Sequence, residues 1–468
     1  MADIIQRLCQ EIGSASVITR DDEQLEDYGR DESGLGLFPA DCAVLCQSAE
    51  EVDAVLALAL ETNTPVTPRG AGSGKVGGAL PIRGGIVLST ERMQSIVEID
   101  PDDLVAVVQP GVITGDLQSA VEAEGLFYPP DPASLEYCSI GGNAAANAGG
   151  PRAFKYGVTR EYVLGMEVSL MSQERLRFGR RTSKGVTGYD LVAGFVGSEG
   201  TFGVTTELTL RLLPKPPAVQ TLLAIFPSLT VAGAGITALL KDGFRPRTIE
   251  LMDQLAIDTV RKQNSSPIPP GSKAAALIEI DGNEEGLEDA LMRLGMTVDE
   301  AGASDVLVAQ SEVERRRIWQ ARRLISSSLT ASCRHKVSED ICVPRGAMIE
   351  MIRRIEALHE EFPFQVACYG HAGDGNLHVN ILCDEDPKEP ETASQLEAVT
   401  RRLFEHTLEL RGTLSGEHGI GLSKRDYMVM EQSEAILEWQ RRWKSMWDPK
   451  DLLNPGKVLP ARPRSCQE

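Results

Sequence analysis

The 468-residue chain reads as an α+β protein: a glycine-rich first domain and an antiparallel-sheet domain with helices on one face. Three observations predict this. The 44 glycines are concentrated in a few loops, mostly in the first half, as backbone wrapped closely around a ligand requires. Val204, Thr206, Leu208, Leu210 and Leu212 alternate as in a half-buried strand, and Pro214-Lys-Pro-Pro217 then breaks the pattern and marks a domain boundary. Beyond it, strand-like segments at 221–226 and 275–280 alternate with helix-like stretches at 230–240 and 284–294.

Composition narrows the function. With 42% hydrophobic and 25% charged residues, the chain is an ordinary globular protein long enough for two or three domains. A formal net charge of −21 argues against a nucleic-acid partner, whereas a local Arg/Lys cluster still admits a small anionic substrate. The nine cysteines form no CxxC pair, which points to reduced thiols and away from cysteine-ligated iron–sulfur clusters. The first residues lack the pattern of a signal peptide, and no run of about 18 apolar residues occurs. A cytoplasmic location is expected, with at most peripheral membrane contact.

The elements follow in order. Ser48-Ala-Glu-Glu51 is a capping box that opens a helix over 52–60. A glycine-dense segment (67–85) precedes a strand (105–108), the turn Pro110-Gly111 and a helix-like stretch (115–124). Glycine, alanine and asparagine cluster over 139–150. A long helix is expected over 310–332, and 448–456 is loop-like, ending in Asn454-Pro-Gly-Lys457. There is no internal repeat and no low-complexity tract.

Gly72-Ser-Gly74-Lys-Val-Gly77 fits the dinucleotide pattern GxGxxG. A true fingerprint joins a strand to a helix, and Gly78-Ala-Leu-Pro81-Ile-Arg-Gly84-Gly85 cannot continue as one, so the loop is not expected to bind NAD. Successive amides in such a turn still form an anion-binding nest, with Arg69 adding charge. A tight turn is a reasonable reading of any single glycine pair, but a poor one for the whole segment.

Arg69-Gly-Ala-Gly-Ser-Gly74, Pro130-Asp-Pro132, Ser139-Ile-Gly-Gly142-Asn143, Asn147-Ala-Gly-Gly150 and Val196-Gly-Ser-Glu199-Gly-Thr-Phe-Gly203 together resemble the FAD-binding domain of vanillyl-alcohol-oxidase-type flavoproteins. The resemblance implies a two-subdomain FAD domain. It implies that Pro68, Arg69, Gly70, Ala71, Gly72, Ser73, Gly74, Pro132, Ser139, Gly142, Asn143, Asn147, Gly149 and Gly150 surround the FAD pyrophosphate. Glu199, Gly203 and Val204 would lie along the isoalloxazine and ribityl chain, with Asn454 as a further contact. Some of these flavoproteins attach flavin through a histidine in the first loop. No histidine precedes residue 335 here, so a non-covalent flavin is expected.

The second half carries Cys368-Tyr-Gly-His371-Ala-Gly-Asp-Gly-Asn376-Leu-His378-Val-Asn380. Asp374-Gly375 is a strong two-residue hairpin signal. Such a turn pairs His371 directly with His378, close enough for both imidazoles to share one metal, and places Asn376, His378 and Asn380 on one face. For a lone histidine an exposed polar hairpin would be the better reading. Two histidines, with Glu417-His418 in the glycine-rich stretch Gly412–Gly421, favour a metal. His371, His378 and Glu417 would leave an open coordination position, as in catalytic zinc, and His418 would accept the proton of a polarised hydroxyl. Zinc is the first expectation, with manganese, iron and cobalt also suited to such a set.

Both motifs together resemble the group of D-lactate dehydrogenases, glycolate oxidases and D-2-hydroxyglutarate dehydrogenases. The likeness implies metal ligands at His371, His378 and Glu417, a catalytic base at His418 and a substrate contact at Asn380. Trp319, Arg322, Arg323 and Ser326 share a helix face, and the family's arginine three residues after this tryptophan maps to Arg322, implying a grip on the substrate carboxylate. Ser326 and Lys336 join the expected substrate set. Dicarboxylate-specific relatives have a lysine where Ser338 stands, which tilts the expectation toward D-lactate or glycolate over D-2-hydroxyglutarate.

The expected organisation is an FAD domain (1–215), a substrate and metal-binding cap (216–425) and a C-terminal segment (426–468) returning to the FAD domain, with substrate between flavin and metal. Electrons would leave to an external quinone, cytochrome or electron-transfer flavoprotein. Oligomeric state stays open, a homodimer being one option. The alternatives are an alkyl-glycerone-phosphate-synthase-like transferase, a non-catalytic flavin-binding component of a larger oxidase, and a chain that binds metal only for stability.

Overall fold

A computed structural model describes residues 2–263 and 266–462. The chain divides into two compact units: Met1–Gly149, Gly157–Lys215 and Glu417–Glu468 form one, and Gly150–Tyr156 with Pro216–Gly416 the other.

The first unit holds two main sheets. Strands β1 (Val17–Ile18), β2 (Cys42–Leu45), β3 (Val66–Arg69) and β4 (Ile86–Ser89) form one in the order β1-β2-β4-β3, with β4 parallel to both β2 and β3. Every residue of β2 and β4 is buried, as expected of parallel strands covered on both faces. The helix Ala49–Thr62 sets Val52, Val55, Leu56 and Ala59 into the same core as Val44, Ile86 and Leu88. Ser48 caps it as expected, its Oγ accepting from Glu51 N–H at 3.3 Å, while Glu51 Oε2 accepts from Gln47 N–H at 2.7 Å, one residue before the cap.

Strands β5 (Ile96–Asp100), β6 (Val105–Val108), β8 (Val163–Ser169), β9 (Arg175–Gly179) and β10 (Val204–Arg211) form an antiparallel sheet in the order β5-β6-β10-β8-β9. Short β7 (Leu126–Phe127) pairs with β11 (Leu213–Pro214). Buried and half-buried residues alternate along β10, as its sequence period requires. The segment between β3 and β4 contains no helix, so the GxGxxG match there is a loop between parallel strands. The second glycine cluster contains the short helix Ile140–Ala146, which Ser139 caps.

The second unit is built on one seven-stranded antiparallel sheet. Its strands are β12 (Ala218–Phe226), β13 (Thr248–Asp253), β14 (Ala274–Gly282), β15 (Asp305–Val308), β16 (His335–Cys342), β17 (Gln365–His371) and β18 (Asn376–Cys383), in the order β15-β12-β14-β13-β17-β18-β16. Helices cover both faces, one layer more than the sequence suggests. Leu223 and Ile225 pack with Ile257, Ile318, Ile325 and Leu329 on one side. On the other side, Phe226 underlies Gly235 and Leu222 lies near Gly295. The unbroken burial of the central strands follows from this arrangement. The helix expected over 310–332 is two helices, Glu312–Arg323 and Ile325–Ser332, which part at Leu324. There the Ser327 hydroxyl donates to Leu324 O at 3.1 Å, a side-chain competitor for the helical ladder.

Among the described residues the cysteines are free thiols, and no helix is long and apolar enough to cross a membrane.

Candidate active site

Strands β13, β17, β18 and β16 lie side by side in the second unit, and period-two geometry sends alternate side chains to one face. That face carries Glu250, Tyr369 and His371, Asn376, His378 and Asn380, and Lys336, Ser338 and Asp340. The register sets Glu250 opposite His371, Ser338 opposite Asn380, and Asp340 opposite His378. All but Lys336 and Ser338 are buried.

The hairpin corrects the expected pairing. His371 stands opposite Asn376 and Tyr369 opposite His378, so four residues, Ala372 to Gly375, form the loop instead of two. Gly375 is turned away from the hairpin: its carbonyl accepts Val343 N–H at 3.0 Å, and its φ of +82° suits glycine. The shift is two residues, so both histidines keep the same face and meet diagonally. Their ring centroids are 5.1 Å apart at an interplanar angle of 87°.

Two buried carboxylates stand behind these imidazoles. Glu250 Oε1 is 2.6 Å from His371 Nδ1. Asp340 Oδ1 accepts from Asn376 Nδ2 at 2.6 Å and lies 3.8 Å from His378 Nδ1. His371, whose Nδ1 is engaged by the Glu250 carboxylate, presents Nε2 as a lone pair, the usual outer arrangement of a metal-binding histidine, while Asp340 stands near His378 without a hydrogen bond to its Nδ1. The donor chemistry therefore fits a divalent metal.

The expected substrate residues come together on the same face. Arg322, 6% exposed, projects from the helix Glu312–Arg323. Its guanidinium lies 4.7 Å above the Tyr369 ring, with Nη2 2.5 Å from Glu250 Oε2. Among the described residues its buried Nε has no hydrogen-bond partner, leaving a donor for an incoming acceptor. Trp319 Nε1 donates to buried Glu279 at 2.7 Å and holds the helix that carries Arg322. Lys336 Nζ donates to the Ser326 carbonyl and hydroxyl, both at 3.0 Å, and Ser338 Oγ donates to Asn380 Oδ1 at 2.9 Å. Burial pushes the Tyr369 phenol up, against the pull of Arg322 and hydrogen bonds to Ser326 and Asn380. Glu250 and Asp340 lie outside the motifs read from the sequence, and Tyr369 lies inside the histidine motif with no expected role there. The one signal for Glu250 is an acid flanked by Ile249, Leu251 and Met252, whereas Asp340 follows the polar run of its strand and stands out by nothing local.

At the end of the second unit, Gly416 N–H donates to Asp340 Oδ2 and Ser415 Oγ to the same oxygen, at 3.1 and 3.2 Å. Glu417 and His418 follow at once in the chain and belong to the first unit. There a Cβ on Gly149 would fall 2.5 Å from Glu417 Oε2, so that glycine leaves room for the carboxylate. Ile420 and Gly421 N–H donate to Glu199 Oε1 and Oε2, at 2.8 and 2.9 Å.

The expected cofactor residues of the first unit divide by role. The backbone N–H groups of Ala71, Gly72, Ser73 and Gly74 donate to no described residue, and the space around a Cβ on Gly74 is open. Four free amides in one turn fit a phosphate, as an FAD pyrophosphate requires. Other residues of the set are engaged by protein. Asn143 Nδ2 donates to Thr114 Oγ1 at 2.7 Å, and Asn147 Oδ1 accepts Arg160 N–H at 2.9 Å. Gly203 admits the side chains of Val168 and Leu170. Asn454 Nδ2 donates to Gly78 O and Glu199 O, at 3.0 and 2.8 Å. Pro68 packs on Gly200. Gly150 falls in the second unit.

This fold, a glycine-looped α/β domain joined to a large antiparallel-sheet domain, is that of FAD enzymes of the vanillyl-alcohol-oxidase type. The solved structure of p-cresol methylhydroxylase with substrate bound matches 98% of this chain and 96% of its own, with a TM-score of 0.79 at 16% identity. Residues 40–179 match the FAD binding domain family, and residues 215–458 match the C-terminal domain of FAD linked oxidases. Among curated relatives, glycolate oxidase subunit GlcD of Bacillus subtilis is 38% identical over 419 residues, covering 90% of this chain and 89% of that protein. D-lactate dehydrogenase of Anaerostipes hadrus is 37% identical over 445 residues, 93% of each. The chain belongs to the FAD-linked oxidase family and is an FAD-dependent oxidoreductase.

Proposed function

We propose that this enzyme oxidises a small D-2-hydroxy acid to the 2-oxo acid, with D-lactate or glycolate favoured over D-2-hydroxyglutarate. The observation that carries the reading is the single face on which Arg322, Lys336, Asn380, His371 and His378 converge. The two relatives named above, a glycolate oxidase subunit and a D-lactate dehydrogenase, support the substrate class.

Arg322 anchors the substrate carboxylate through the donors that Glu250 leaves free. Ser326, Lys336 and Asn380 order the polar side of the substrate. His371, His378 and Glu417 would hold a divalent metal, zinc first among candidates, which supplies a Lewis acid to the 2-hydroxyl. His418 takes the hydroxyl proton as C2 gives up its hydride. Non-covalent FAD, with its phosphates on the amides of residues 71–74, supplies the two-electron acceptor. An external quinone, cytochrome or electron-transfer flavoprotein reoxidises the enzyme, since the cysteines form no cluster motif. A cytoplasmic enzyme, at most peripheral at a membrane, fits this scheme.

Formation of a 2-oxo acid from D- but not L-2-hydroxy acids, followed with an artificial electron acceptor, tests the proposal. Failure of every 2-hydroxy acid to turn over would remove it.

A further inference from the structure

Glu199 combines three features within the first unit. It adopts the left-handed conformation at φ +51°, which a side-chain-bearing residue enters at a cost and holds only when its surroundings demand it. Both carboxylate oxygens are taken by consecutive amides, Ile420 N–H on Oε1 at 2.8 Å and Gly421 N–H on Oε2 at 2.9 Å. Its own backbone is tied at both ends. The N–H donates to Ala145 O at 2.8 Å, and the carbonyl accepts Asn454 Nδ2 at 2.8 Å. A Cβ on Gly419 would lie 2.9 Å from Glu199 Oε1, so Gly419 is the residue that lets the loop close onto the carboxylate.

We propose that Glu199 is a positioning residue for His418: it clamps the backbone immediately after the base instead of contacting the flavin through its side chain. This rests on the reading of His418 as the proton acceptor. Each amide bond to a carboxylate is charge-assisted, and two of them span residues 420 and 421. His418 sits two residues upstream in a stretch whose glycines at 416, 419 and 421 give no stiffness of their own. A misplacement of about 1 Å in such a group costs roughly 100-fold in rate.

The test uses Glu199→Gln, which preserves size but leaves one of the two amides without an acceptor. Three readouts on the FAD-loaded protein are compared with wild type: bound flavin per chain, the limiting rate and half-saturation of flavin reduction by the best 2-hydroxy acid, and hydrogen exchange of the peptide containing Ile420 and Gly421. Full flavin content, unchanged half-saturation, a limiting rate lowered roughly 10–100-fold and faster exchange in that peptide are expected, with the kinetic loss bounded by ordinary misplacement costs. Gly419→Ala, which pushes a methyl against the same carboxylate, should reproduce the kinetic defect and serves if Glu199→Gln folds poorly. Loss of flavin in both variants would overturn the proposal in favour of a cofactor contact, and an unchanged limiting rate would overturn it outright. His418→Ala separates the two levels. If it reduces as fast as wild type, the assignment of the base has failed. If it alone is slow, the positioning role of Glu199 has.

Discussion

The buried Glu250 carboxylate lies 2.6 Å from His371 Nδ1 through one oxygen and 2.5 Å from Arg322 Nη2 through the other. One side chain thus joins an expected metal ligand to the expected carboxylate anchor, and both depend on its charge. Glu250→Gln should therefore weaken metal binding roughly 10–100-fold, as loss of a histidine's carboxylate partner does. Competition with a chelator, read by metal content, checks this without any turnover. Unchanged metal affinity would show that His371 is not a ligand.

The Arg322 guanidinium stacks on Tyr369, and among the described residues its buried Nε has no hydrogen-bond partner. Arg322→Lys keeps the charge but loses the planar fork, and should raise the half-saturation for substrate roughly 10–100-fold, the range of a charge-assisted hydrogen bond of about 1.5–3 kcal/mol. Steady-state kinetics with the preferred substrate decide it. A change in limiting rate alone would place the carboxylate elsewhere.

The elements with strong local chemistry were legible in the sequence. Alternation along 204–212 and the capping box at Ser48–Glu51 each became the element expected, because hydrophobic period and cap geometry act over a few residues. The shared face of Asn376, His378 and Asn380 was legible for the same reason. The hairpin register was not. Asp374-Gly375 favours a two-residue turn locally, but the Gly375 carbonyl is drawn to Val343, a contact made by a strand far away in sequence. Glu250 and Asp340 could not be found either, since their importance arises from neighbours on other strands.

Lys457 predicts an alkaline signature of the folded state. Its Nζ donates to Gly78 O, Leu80 O and Asn454 Oδ1, at 3.2, 2.6 and 3.1 Å. Burial lowers its pKa from 10.5 to about 8. The unfolded chain therefore binds more protons between those values, so this group makes stability rise as pH increases from about 8 to 10.5. Lys457→Met should lose that contribution: its stability relative to wild type should fall across the same window. Denaturant unfolding of both proteins on the apo form, at about pH 7.5 and about pH 10, measures the difference. A gap that does not widen with pH would contradict the assignment.

Chelation provides a separate check on the role of the histidine pair, whose rings sit 5.1 Å apart. Metal-stripped protein should keep its flavin, because the amides of residues 71–74 belong to the other unit, yet its reduction by substrate should slow by at least tenfold, reflecting a Lewis acid worth several kcal/mol at the hydroxyl. Restoring zinc or manganese should recover the rate. Full reduction after chelation would leave a structural metal or none.

Mixing the purified FAD-loaded protein anaerobically with glycolate and a panel of D- and L-2-hydroxy acids, while following the flavin absorbance, tests directly whether the enzyme oxidises such substrates. Rapid bleaching by D-lactate or the achiral glycolate, ahead of D-2-hydroxyglutarate, is the predicted result. No bleaching by any member, before or after addition of zinc or manganese, would contradict it.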